Sequence, residues 1–110
     1  MNMTTIPITE AEFSRQVEEL LSLTGWRWCH FRPAMKKDGG WVTAISGDPG
    51  MVDIIAVRGS ELIWVELKSE RGKLSPAQQE WIKVLVDAGQ RVYLWRPSDW
   101  ETVVRVTGAE

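Results

Sequence analysis

MVDIIAVRGSELIWVELK, residues 51–68, is the stretch on which the fold turns. Two apolar, β-branched runs, 51–57 and 61–68, flank Arg58-Gly59-Ser60. Gly-Ser suits a two-residue type II′ turn, so the stretch reads as a β-hairpin. That turn pairs Arg58 with Glu61 and brings Asp53 directly opposite Glu66. Opposed residues hold their Cβ atoms about 4.5–5.5 Å apart. Period-two alternation puts Lys68 on the same face as Glu66. The other face is Val52, Ile54, Ala56, Ile63, Val65 and Leu67, all apolar. The face with the charges is otherwise Ile55, Val57, Leu62 and Trp64. The expectation is a sheet covered on both sides, with two carboxylates interrupting one buried face near its end.

Working outward, Thr9 and Glu12 fit a capping box at a helix start. Phe13, Val17, Leu20, Leu21 and Thr24 follow at helical spacing, and Gly25 is placed to end the helix. Trp26 to Phe31 alternates and reads as a strand. Residues 32–50 are rich in glycine and proline and read as a loop, with a short strand at Trp41 to Ile45. Ser75-Pro76 opens a second helix with Trp81, Ile82, Leu85 and Val86 as its apolar face, and Gly89 ends it. Arg91 to Trp95 is a further strand, Pro97 to Trp100 a turn or short helix, and the remainder a tail. The order is α-β-β-β-α-β. It describes one α/β domain over residues 1–110, with 1–8 a loose lead-in. Trp64, Trp81 and Trp95 fall in apolar patterns and are assigned to the core; Trp26, Trp28 and Trp100 are left as core or interface.

Composition narrows the function. At 44% apolar residues the 110-residue chain can build a packed core. It holds no apolar run long enough to span a membrane, and its first residues do not read as a signal peptide. Cys29 is the sole cysteine, which excludes an internal disulfide or a multi-cysteine zinc site and suits a reducing cytoplasm. Nothing pairs it with a base, which disfavours a cysteine nucleophile. A net charge of −2 supplies no bulk field toward nucleic acid, so any polyanion must meet local patches. Two exist: Arg27, Arg32, Lys36 and Lys37, and then Lys68, Arg71 and Lys73.

Opposed carboxylates repel. A divalent cation, a shared proton or the Lys68 ammonium could offset that cost. A metal beside a lysine is the set needed to hydrolyse a phosphodiester. The plain alternative is an edge salt bridge between Glu66 and Lys68.

Asp53 followed by Glu66-Leu67-Lys68 resembles the Asp…Glu-x-Lys core of the PD-(D/E)XK nuclease superfamily. GDPGMVDIIAV, IWVELKSERGKLSPAQQEWIKVL and GQRVYLWRPSDW are similar to its virus-type replication-repair nuclease (VRR-NUC) family. One departure is Val52, where the family has proline before the aspartate. The resemblance implies a restriction-endonuclease-like core, a central mixed sheet flanked by helices. It implies a Mg²⁺- or Mn²⁺-dependent, structure-selective DNA endonuclease in phage or prophage DNA repair, recombination or replication.

The implied catalytic set is Glu10, Asp53, Glu66, Lys68 and Gln78. The implied metal ligands are Asp53, Glu66, the Leu67 carbonyl and Glu10. Glu10 and Glu12 compete for the helix glutamate; at 100° per residue Glu10 lies near the direction of Phe13, Val17 and Leu21, and is taken. His30, Arg32, Lys36, Lys37, Trp41, Arg71, Lys73 and Ser75 are the candidate DNA contacts. His30 also reads as an ordinary packed or hydrogen-bonded histidine. The implied partners are branched or junction DNA and a second copy of the chain in a homodimer, with no membrane and no small-molecule cofactor. The implied setting is the cytoplasm of a bacterial or phage-infected cell. The rival reading is a non-catalytic nucleic-acid-binding module on the same fold.

Overall fold

A computed structural model describes residues 8–31, 34–35, 41–42 and 46–109. Its first helix, α1 (Glu10–Leu23), opens as the capping box requires. The Glu12 amide donates to Thr9 Oγ1, and the Thr9 amide donates to Glu12 Oε2, each at 3.1 Å. The strands are β1 (Arg27–His30), β2 (Ala34–Met35), β3 (Trp41–Val42), β4 (Ile54–Arg58), β5 (Glu61–Leu67) and β6 (Arg91–Trp95). The second helix, α2 (Pro76–Asp87), joins β5 to β6, and a 3-10 turn at Pro97–Asp99 leads into α3 (Trp100–Thr107).

The main sheet runs β1-β4-β5-β6. Its first two pairings are antiparallel and β5–β6 is parallel, the geometry a helical crossover allows. The result is a mixed α/β sheet of the expected class. Register follows the turn: Arg58 pairs with Glu61 and Ile54 with Val65. Gly59 has φ +60° and Ser60 does not have positive φ, as a type II′ turn demands.

The core lies between α1, α3 and one sheet face. Phe13, Val17 and Leu21 meet Ile54, Ala56, Ile63, Val65, Leu67 and Trp95, with Val103 closing from α3. That last helix corrects the expected tail. Trp100, Val103 and Thr107 recur at helical spacing, and Val103 and Thr107 are wholly buried. Burial overrides the low helix propensity of a β-branched run. The short strand expected at Trp41 to Ile45 is described only at Trp41–Val42, where it pairs with Ala34–Met35.

Cover on the opposite face is thinner than expected. Cys29 is exposed, Ile55 and Trp64 are half-buried, and Val57 is 40% exposed. α2 packs against the edge strand β6 and not across the whole face. Of its expected apolar face only Leu85 is buried, and Val86 is 51% exposed. Trp81 and Trp64 are likewise half-buried instead of core. Trp81 Nε1 donates to the Asp48 carbonyl, and Trp64 Nε1 to Gln90 Oε1. Gly50 packs so closely on Ala77 that a Cβ there would sit 2.5 Å from its carbonyl carbon, which docks the 46–50 loop on α2.

At the turn end of the hairpin, Arg58 ties two helices to the sheet. Its Nη1 donates to the carbonyls of Thr24 (3.1 Å) and Thr107 (2.7 Å), the C-terminal ends of α1 and α3. Such carbonyls lack helical partners and attract cations. Nη2 reaches Glu61 Oε2 at 3.1 Å, and the guanidinium lies 4.6 Å from the Trp26 ring centroid.

Candidate active site

At the opposite end of the same hairpin, ladder pairing stops at Ile54 and Val65. Asp53 continues it by other means. Its backbone carbonyl accepts from the Phe31 amide at 2.7 Å, and its Oδ2 accepts from the Leu67 amide at 2.7 Å. Asp53 is therefore held from both neighbouring strands, and its carboxylate stands in for a backbone acceptor.

Glu66 is the unusual member. It is 1% exposed, and among the described residues neither carboxylate oxygen has a hydrogen-bond partner. Lys68 Nζ lies 3.7 Å from Glu66 Oε2, an ion pair without hydrogen-bond contact. Burial, the neighbouring Asp53 charge and, more weakly, Glu10 push the Glu66 carboxyl up to about 8; Lys68 pulls the other way. The Asp53 amide also pulls it down, without hydrogen-bond geometry. A buried carboxylate with both oxygens unsatisfied is costly. Its position beside another carboxylate and a lysine suits a cation-binding, phosphate-handling site.

The structure thus brings Asp53, Glu66 and Lys68 together as the register requires. Glu10, exposed on the first turn of α1, is near enough for its charge to act on Glu66, while Glu12 is occupied by the cap. Among the described residues no group of three His, Cys, Asp or Glu side chains is arranged to hold a metal. Leu67 is the last residue of β5, with its amide on Asp53.

Gln78 is committed locally. Its Oε1 accepts from the Ser75 amide at 2.9 Å, and Ser75 Oγ accepts from the Gln78 amide at 3.1 Å. The signal was legible as Ser-x-x-Gln, a capping box. Arg71 and Lys73 are exposed on the segment between Lys68 and α2. Arg32, Lys36 and Lys37 lie outside the described residues, as does the Trp41 side chain.

His30 has a partner that the sequence did not reveal. Its Nδ1 lies 2.6 Å from Glu18 Oε2, both side chains being largely buried between α1 and β1. Finding Glu18 needed the packing of α1 on β1. Helical spacing sets it on the flank of the apolar stripe and names no strand residue as its neighbour.

No curated protein and no solved structure matches the chain. A model of the VRR-NUC domain matches residues 38–99. The match spans Asp53, Glu66, Lys68 and Gln78 and leaves α1, with Glu10, outside it. It covers more than half of the chain, over the hairpin that gathers the carboxylates and the lysine: the chain belongs to the VRR-NUC family of nuclease-type, nucleic-acid-processing domains.

Proposed function

We propose that the chain is a metal-dependent, structure-selective DNA endonuclease with Asp53, Glu66 and Lys68 as its working core. The observation that carries this reading is Glu66, a buried carboxylate with both oxygens unpartnered beside Asp53. A hard divalent cation is the partner such an oxygen pair lacks. Asp53 and Glu66 would hold Mg²⁺ or Mn²⁺, with the Leu67 carbonyl and Glu10, directly or through water, as further ligands. When bound, the ion supplies Lewis-acid polarisation of the phosphate and a more acidic water.

The protein's own groups do the rest. Lys68 is a cation on a largely buried stem, beside the carboxylate pair. It would hold the attacking water and face the negative charge that grows on the phosphate oxygens. Water attacks phosphorus in line, one P–O bond breaks, and the departing oxygen leaves as a hydroxyl. The buried environment of Glu66 strengthens each of these interactions. Gln78, set at the start of α2, would turn its amide nitrogen to water or phosphate near Lys68.

Arg71 and Lys73 would supply phosphate contacts beside Lys68, and Arg32, Lys36, Lys37, Trp41 and Ser75 would complete the proposed DNA surface, with His30 held beneath it by Glu18. Such contacts make binding salt-sensitive. A homodimer would present two such sites to a branched substrate. Phage or prophage DNA repair, recombination or replication in a bacterial cytoplasm is the setting that we infer from the family.

The test is cleavage of labelled four-way junction, flap, duplex and single-stranded DNA with Mg²⁺, with Mn²⁺ and with chelator. Metal-dependent cutting of branched substrates, lost in Asp53→Ala and Lys68→Ala, is the expected outcome. Binding without cutting on any substrate would replace this reading with a nucleic-acid-binding module.

A further inference from the structure

We propose that Arg96 is a positioning residue for Lys68, acting through the 69–72 turn. Its catalytic meaning rests on the nuclease reading above; the positioning itself does not.

The turn follows Lys68 and has one backbone bond of its own, from the Gly72 amide to the Ser69 carbonyl at 3.2 Å. One guanidinium nitrogen holds it. Arg96 Nη1 donates to the carbonyls of Ser69 (2.7 Å), Gly72 (2.7 Å) and, more weakly, Glu70 (3.3 Å). The ends of the clamp are fixed too. The Lys68 amide donates to the Trp95 carbonyl at 3.0 Å, so the residue before Arg96 anchors the residue before the turn. Glu70 Oε2 accepts from the Ser98 amide at 3.0 Å, and hydrogen bonds from Ser98 hold that carboxyl below its ordinary range. Asp99 Oδ2 accepts from the Arg96 amide at 2.9 Å, fixing the root of the arginine.

Gly72 shows what this closure does. Its φ is outside the left-handed region, so backbone conformation does not require glycine there. A Cβ on Gly72 would sit 2.9 Å from Ser69 Oγ, a rotatable side-chain end, and 3.4 Å from Lys68 Cδ, within contact range. The clamped turn therefore sets Gly72 beside Cδ of the Lys68 side chain. A four-carbon stem with a wall beside it has fewer rotamers open, and its ammonium stays near Glu66.

The experiment follows Lys68 directly. The protein is labelled with ¹³C at lysine Cε, and the Lys68 signal is assigned by its loss in Lys68→Ala. Arg96→Met keeps the stem and removes the donors; Gly72→Ala perturbs the wall with the arginine intact. Each variant is checked for fold by its melting curve. The expected result is a Lys68 signal distinct from free lysine in the wild type and moved toward the free-lysine position in both variants. On the substrate that the wild type cuts best, kcat falls roughly ten- to a hundredfold while KM for DNA stays within about threefold. A Lys68 signal unmoved in folded Arg96→Met and Gly72→Ala overturns the proposal, whatever the cleavage rates. A loss seen in KM alone overturns it as well. If the wild type cuts nothing, the nuclease reading fails, and the lysine signal alone still decides whether Arg96 positions Lys68.

Discussion

The two ends of the β4–β5 hairpin carry charge under opposite terms. At the turn, the Arg58 guanidinium is satisfied by two helix-end carbonyls, a carboxylate and an indole face. At the open end, Glu66 is buried with no hydrogen bond to either oxygen among the described residues, and Lys68 Nζ stands 3.7 Å away. Folding uses the first end to join α1 and α3 to the sheet. It leaves the second unsatisfied. The lesson is physical: a polar group that closes its hydrogen bonds within the fold stabilises it, and a buried one that does not costs stability.

The comparison breaks first on activity. Asp53→Ala and Lys68→Ala are expected to lower metal-dependent cleavage by about a thousandfold or more, some 4 kcal/mol of transition-state stabilisation. The urea midpoint of Lys68→Ala should stay close to wild type, and that of Asp53→Ala should fall by about 1–2 kcal/mol in stability, because the Leu67 amide loses its acceptor. Midpoints that collapse with activity would make the open end structural and erase the contrast.

At the turn end the pattern should invert. Arg58→Ala takes the side-chain donor from the Thr24 carbonyl, leaves the Thr107 carbonyl with Trp26 Nε1 alone, and removes the cation from the Trp26 face. About 3 kcal/mol of stability should be lost, seen as a fall of more than 10 °C in Tm, with cleavage per folded molecule unchanged.

Glu66 sharpens the contrast through pH. Its folded-state carboxyl titrates near 8, above its ordinary 4.5, so the folded protein binds the extra proton between those values. The metal-free protein should therefore lose stability as pH rises across that window. Glu66→Gln should stabilise the chelator-treated protein by about 2 kcal/mol at pH 8 and hardly at all at pH 4, read from urea melts. By the same linkage, Mg²⁺ or Mn²⁺ should bind the wild type more tightly as pH rises toward 8, releasing a proton. Destabilisation by Glu66→Gln at pH 8 would show that the carboxylate is satisfied after all.

The smallest effect is expected at Glu61. Its bonds to Arg58 are half-exposed, and it also faces Arg91 at 3.7 Å. Glu61→Gln should cost no more than about 0.5 kcal/mol, because exposed ion pairs contribute little. A larger loss would mean that Arg58 depends on its carboxylate more than on the helix carbonyls.

Much of this was legible in the sequence, element by element. Thr9 and Glu12 announced α1, Ser75-Pro76 announced α2, and Gly59-Ser60 set the hairpin register. These signals are local, and local hydrogen bonding enforces them. The misses are non-local. The run after Trp100 reads as a tail until Val103 and Thr107 find the core, and Trp100 the edge of Phe13. Trp64 and Trp81 fall in apolar patterns like core residues, yet the described residues cover the sheet face and helix flank on which they lie only in part. Glu18 and Arg96 carry no local signal, because their partners, His30 and the 69–72 carbonyls, sit 12 and 24 to 27 residues away.

By itself the sequence determined which residues could meet at the open end of the hairpin. Turn type and period-two alternation leave Asp53 only one position opposite, and it is Glu66. Tertiary structure decided what that meeting means. Whether Glu66 keeps its water, whether Lys68 is held beside it and whether Arg58 finds two helix ends depend on which distant surfaces close over each group. Desolvation belongs to the packed assembly, and no short stretch of chain contains it.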